Sequence, residues 1–185
     1  MALGEKLYTA EEFFEIAALP ENEEKRLELD NGVIVDMGSS SRLNTVTAMR
    51  IGHFLNAFVI PRDLGYITGA DGGFKLSSGR ARRPDVGFIS KSHGIKLVGI
   101  EFPIAPDLAV EIVSPDEDIF KKANEYLHSG GKLVWAVYAT EKIVYVMHID
   151  QDGGLKSFQF GIDDTLDGGD MLPGFTLPVK DIFPE

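Results

Sequence analysis

Glu111 stands inside an apolar run, Leu108 to Val113, in the stretch "PDLAVEIVSPDE". Burying an unpaired carboxylate is costly, so a strand that carries one needs a reason for it. Alternation puts Leu108, Val110 and Ile112 on one strand face and Asp107, Ala109, Glu111 and Val113 on the other. Asp107 shares the face of Glu111, but four residues of strand span roughly 13 Å at about 3.3 Å per residue. Two short side chains cannot share one ion across that gap. Asp85, in "RRPDVGFIS", is a better partner. It opens a second apolar run, and facing side chains of neighbouring strands lie about 5 Å apart. An Asp and a Glu at that separation suit Mg²⁺, which takes one or two protein carboxylates and completes its shell with waters and phosphate oxygens. Each residue alone has a plainer explanation: Asp85 as a strand or turn cap, Glu111 as the partner of an Arg or Lys.

The elements that must position these groups are partly legible. Thr9 and Glu12 have capping-box spacing before Phe13, Phe14 and Ile16, which predicts a short helix ending near Leu19-Pro20. "RLELDNGVIVDM" alternates on both sides of Asn31-Gly32, a strong hairpin signal. Leu43, Val46, Ile51, Phe54, Leu55 and Phe58 recur near helical spacing, predicting a long helix from about Ser41 to Val59, stopped by Pro61. Strand-like runs follow at Tyr66 to Gly69, Gly73 to Leu76, Asp85 to Ile89 and Leu108 to Val113. Ser114 and Pro115 suit the cap and first position of a helix, with Asp116, Glu117 and Asp118 in its first turn and Gly130-Gly131 at its end. "KLVWAVYA", "KIVYVMHI" and "LKSFQF" read as strands, and the tail is turn-rich with apolar anchors at Leu172, Phe175, Leu177, Ile182 and Phe183. This order predicts one domain over residues 1–185, an α/β (α+β) mixed sheet flanked by helices.

Composition narrows the function classes. The net charge of −11 counts against extended nonspecific nucleic-acid binding, which needs many cation–phosphate contacts. A local basic patch, "GRARR" at Gly79 to Arg83, stands out from that background. There is no cysteine, which removes disulfides, thiolate nucleophiles and zinc-thiolate sites. No apolar run is long enough to span a membrane and no secretory signal is visible, so no membrane partner and a cytoplasmic location are expected.

"RRPDVGFIS", "PDLAVEIVSP", "KANEYLHSGGKLVWAVY" and "LDGGDMLPGFTLPV", with "YTAEEFFEIAALPE" and "RLELDNGVIVDM" upstream, resemble the Uma-two family of restriction-endonuclease-like proteins within the PD-(D/E)XK nuclease superfamily. The resemblance covers nearly the whole chain. It implies a restriction-endonuclease-like fold, a central mixed sheet flanked by helices, and a site built from Asp85 and Glu111. The superfamily places a lysine two residues after the acidic one. Here that position is Val113, and the family pattern supplies the lysine from the following helix, matching Lys122. Helical geometry favours Lys122 over Lys121, because Lys122 borders the face of Ile119 and Tyr126 while Lys121 points about 100° away. The alternative for Lys122 is a surface pair with Asp118. Glu28 matches a recurrent family glutamate on the first hairpin, as a further ligand or as an anchor for Lys122; the alternative is an exposed hairpin carboxylate. Where family members often carry a histidine, this chain has Asn44, which cannot act as a base near neutral pH. His53, His93, His128 and His148 show no metal-ligand spacing.

The resemblance thus implies a Mg²⁺-dependent endonuclease acting on DNA, with Mn²⁺ as an alternative ion. Asp85 and Glu111 would hold the metal, Lys122 and Glu28 would join the catalytic set, and Arg80, Arg82 and Arg83 would neutralise flanking phosphates. Two other readings stand beside it: an inactive binding module on a nuclease scaffold, and a nuclease acting on RNA. A homodimer is a further expectation, with "KIVYVMHI" as either interface or core.

Overall fold

A computed structural model describes residues 6–115 and 117–184. Helix α1 (Ala10–Ala17) is followed by strands β1 (Leu27–Asp30) and β2 (Val33–Asp36), the long helix α2 (Arg42–Val59), and strands β3 (Gly65–Thr68), β4 (Gly73–Ser77), β5 (Arg80–Arg82) and β6 (Val86–Ser90). Strands β7 (Glu101–Phe102) and β8 (Leu108–Ile112), helix α3 (Ile119–His128), and strands β9 (Leu133–Tyr138), β10 (Ile143–Ile149) and β11 (Leu155–Phe160) come next. The chain closes with β12 (Thr165–Gly168), β13 (Leu172–Pro178) and the short α4 (Val179–Ile182). The architecture is mixed α+β, as expected.

Local chemistry explains the early elements. Thr9 and Glu12 form the reciprocal capping box of α1. Asn31 and Gly32 both take positive φ, 49° and 82°, which is what a two-residue hairpin turn demands. Ser41 caps α2 by accepting from the Asn44 N–H.

Among the described residues the strands form three sheets. One is five-stranded in the order β2-β1-β5-β4-β7, one six-stranded in the order β11-β10-β9-β8-β6-β3, and one is the pair β12-β13. In the six-stranded sheet β8 pairs antiparallel with β6 and parallel with β9. Its two faces bury different sets, following the alternation. Leu108, Val110 and Ile112 join Ile51, Leu55 and Val59 of α2, together with the tail anchors Leu172, Phe175 and Leu177. Ala109 lies on the other face with Ile119, Ala123 and Tyr126 of α3. A third cluster packs Phe13 and Phe14 of α1 on Leu27, Leu29 and Ala81 of the five-stranded sheet.

One expectation changes. Helix α3 begins at Ile119 with Asp118 as its cap, not at Ser114. The cause is local: the Ser114 N–H donates to the Glu117 carboxylate and the Glu117 N–H to the Ser114 carbonyl, which closes a turn before the helix. Asp116, expected in the first helical turn, lies outside the described residues. "GRARR" contains β5, paired with β1 on one side and β4 on the other. Strand β10 has β9 and β11 on its two sides, so both its edges are paired within the chain.

Candidate functional site

The link between β5 and β6, Arg83-Pro84-Asp85, joins the two large sheets, and the candidate site forms there. The β6–β8 register pairs Val86 with Val110 and Gly87 with Ala109. Continued by one residue, it sets Asp85 across from Glu111. Both carboxylates are buried and border one cavity of about 450 Å³, lined also by Arg26, Ile112, Ser114, Pro115, Glu117 and Lys122.

Each carboxylate is held by its own donors. The Ile112 N–H donates to Asp85 Oδ2 at 2.7 Å, and Arg26 Nη2 donates to Asp85 Oδ1 at 2.9 Å. The Tyr126 hydroxyl donates to Glu111 Oε1 at 2.7 Å. A carboxylate offers about four lone-pair directions, so both retain acceptor capacity toward the cavity.

Lys122 enters from α3 and is buried. Its Nζ lies 2.5 Å from Glu117, 3.3 Å from Glu28 and 3.6 Å from Glu111. The surface pair with Asp118 does not form: Asp118 accepts from the Lys121 N–H instead. Lys121 is exposed and reaches Asp30 at 2.5 Å. Glu28 is fully buried, with Leu27 and Leu29 on the opposite face as alternation requires. It also receives the Arg83 N–H at 3.2 Å and Arg82 Nη1 at 3.3 Å.

Electrostatics follow from this crowding. Burial pushes the Glu111 carboxyl up to about 8; Lys122 opposes the shift, and Glu28, Glu117 and Asp85 add to it. Burial likewise raises Asp85 above the ordinary carboxylate range, against Arg26 and the Ile112 N–H. Burial works against the Lys122 ammonium, but Glu111, Glu28 and Glu117 outweigh it and raise its pKa. Lys122 is therefore a resident cation and not a base near neutral pH.

Among the described residues, no three His, Asp or Glu side chains form a ready metal-ligand group. The donor set is instead a pair of carboxylates in a cavity crowded with negative charge. That fits a hard divalent ion such as Mg²⁺ or Mn²⁺, which needs one or two carboxylates plus waters. It does not suit a structural zinc site, which takes four Cys or His ligands for the most part.

The three arginines of the basic patch part ways. Arg82 is buried, and its guanidinium is held by Glu125 at 2.6 Å, Glu28 at 3.3 Å and Asp30 at 3.3 Å. Within the fold its charge is answered by these three carboxylates. Arg80 is partly exposed, donates to Asn31 Oδ1 and forms an ion pair with Glu125 at 3.4 Å. Arg83 is half-buried.

Asp107, set aside on geometry, is anchored at the far end of β8. It accepts from the Ser90 N–H at 2.8 Å and Lys132 Nζ at 2.7 Å, and meets His93 Nε2 at 3.0 Å. Asn44 lines an adjoining cavity with Ser114 and Glu117.

Sequence reasoning missed Arg26, Glu117 and Tyr126. Arg26 lies two residues before Glu28, so strand alternation was a usable signal. Tyr126 is four residues after Lys122 and shares its helix face. Glu117 gave no signal, because its position depends on the turn before α3.

The family model of Uma2 (Uma-two), described as "Putative restriction endonuclease", matches residues 10–180. Among curated proteins, none matches the chain. A solved structure described as "a putative nuclease belonging to DUF820", from Anabaena variabilis, superposes with a TM-score of 0.78 at 22% identity, covering 95% of this chain and 97% of the other. At that identity the likeness speaks for the shared fold.

Proposed function

The chain belongs to the Uma2 family of restriction-endonuclease-like proteins, and on that premise we propose that it is a Mg²⁺-dependent endonuclease that hydrolyses DNA phosphodiester bonds. The observation that carries the reading is the convergence of Asp85, Glu111 and Lys122 on one cavity. Asp85 and Glu111 are the residues that would hold the ion, and Mn²⁺ would fit the same pair. When bound, the divalent ion supplies Lewis-acid polarisation of the phosphate and acidification of a water.

The chain's own residues do the rest. The Ile112 N–H and the Tyr126 hydroxyl fix the two carboxylates in orientation before substrate arrives. Lys122 holds a proton on Nζ and places positive charge where the phosphate becomes more negative in the transition state. Glu28 and Glu117 hold Nζ in position. Buried walls keep bulk water from screening these charges.

The test is cleavage of supercoiled duplex, linear duplex, single-stranded DNA and RNA with Mg²⁺ and with Mn²⁺. Wild type should cleave DNA only with a divalent ion. Asp85→Asn and Glu111→Gln should each lose at least about 10²-fold in rate, on the order seen when transition-state electrostatics are removed. Cleavage of RNA alone would transfer the reading to that substrate. DNA binding without any metal-dependent cleavage, unchanged in Asp85→Asn, would instead favour a non-catalytic binding module.

A further inference from the structure

Arg26 stands beside Asp85, one of the two carboxylates that would hold the ion, and lines the same cavity. Its Nη2 donates to Asp85 Oδ1 at 2.9 Å and to the Arg83 carbonyl at 3.2 Å. Its Nη1 donates to Ser40 Oγ at 3.0 Å. One guanidinium thus ties β1, the approach to α2 and the Pro84-Asp85 turn together. Asp85 is buried, so it needs a counter-charge when no ion is present. Arg26 supplies one.

A second observation concerns the same side chain. Arg26 Nε is buried and has no hydrogen-bond acceptor. A buried donor left unsatisfied is a standing cost in the present arrangement. Arg26 also lines the cavity shared by Asp85, Glu111 and Lys122. Its fork of donors matches the oxygens of a phosphate, which it can take two at a time.

We propose that Arg26 is the exchangeable counter-cation of Asp85: it holds the carboxylate in the absence of a divalent ion, yields Oδ1 to the ion, and then turns its donors to the substrate phosphate. This rests on the metal-dependent reading above. A guanidinium and a divalent ion beside the same oxygen repel each other, so the two compete. The ion must displace a resident charge to bind, and the displaced charge remains in the cavity for the phosphate. Arg26 would therefore weaken metal binding while promoting cleavage. A residue that merely braces the fold would not have these opposite effects.

The experiment measures Mn²⁺ binding to the full chain by electron paramagnetic resonance, without nucleic acid, for wild type, Arg26→Gln, Arg26→Lys and Asp85→Asn. Arg26→Gln should bind Mn²⁺ at least about tenfold more tightly, the direction expected when a unit positive charge is removed beside a partly buried ligand. Arg26→Lys keeps the charge and should stay closer to wild type. Asp85→Asn should lose binding. With Mg²⁺ and DNA, Arg26→Gln should nonetheless cleave more slowly than wild type. Should Arg26→Gln fail to fold, the guanidinium signals of wild type decide by nuclear magnetic resonance. Saturating Mg²⁺ should release the restricted rotation of Arg26, and no change at saturation would overturn the proposal. Mn²⁺ binding that depends on Asp85 but is equal or weaker in Arg26→Gln overturns the role of Arg26 and leaves the metal-dependent reading standing. Absence of Mn²⁺ binding in every variant overturns both.

Discussion

Lys122 holds its positive charge among the carboxyl groups of Glu28, Glu111 and Glu117. Its side chain is 7% exposed, whereas that of Lys121 next to it is 43% exposed and makes a surface pair with Asp30. Neighbouring lysines on one helix should therefore respond differently to the same change. Lys122→Met should cost roughly 3–5 kcal/mol, because it strands buried carboxylates without their cation. Lys121→Met should cost less than about 1 kcal/mol, as exposed ion pairs do. Urea unfolding of the two variants beside wild type measures the contrast, and equal losses would contradict it. Asp85 and Glu111 could be paired from strand alternation alone, since their chemistry conflicts with the apolar runs around them. Lys122 could not, because a lysine on an amphipathic helix looks the same whether its ammonium turns inward or out. Glu117 was hidden more deeply, as its reach to Nζ depends on a turn that only the folded chain makes.

At the scale of elements, β5 shows why charged strands escape notice. "RAR" alternates, but with arginine on the inward face, where an apolar residue is the usual signal. Arg82 points to the side of Glu28, while Ala81 packs with Phe13 and Leu29. The fully polar face is an internal ion network, and the small apolar one is part of the core. The Asn31-Gly32 hairpin and the Thr9 cap were legible because their signals lie within four residues. The β5 pairing was not, because Glu125, which completes the network, is 43 residues away from Arg82. Arg82→Leu should lose roughly 3–5 kcal/mol by leaving Glu28 and Glu125 with an unpaired buried charge. Arg80→Ala, partly exposed on the same strand, should lose less than about 1 kcal/mol. Thermal or urea unfolding separates the two, and a small loss at Arg82 would show that its network adds little.

Across the whole molecule, the crowded acids make stability depend on pH in a particular direction. The folded protein keeps the Glu111 proton to about 8, while an ordinary glutamate in the unfolded chain releases it near 4.5. Between those values the folded state binds more protons, so stability falls as pH rises. In metal-free buffer, urea midpoints should be lower at pH 8.5 than at pH 5.5, and Glu111→Gln should flatten the difference. Asp107 works at the other end: burial opposes its charge, but Lys132, the Ser90 N–H and His93 prevail and hold it below its ordinary 3.8. Its contribution is present above that value and is lost as pH falls through its lowered folded pKa. The joint at Arg83-Pro84-Asp85 has a consequence for how the protein comes into being. Arg26 and Glu28 leave the ribosome early, on a hairpin of one sheet; Asp85 and Glu111 follow at the seam with the other; Lys122 arrives on the helix after it. No fragment of the growing chain that stops short of residue 122 presents the full set. The cavity is thus a product of tertiary assembly: its lining comes together only when the two sheets have met at the seam and α3 has packed beside it.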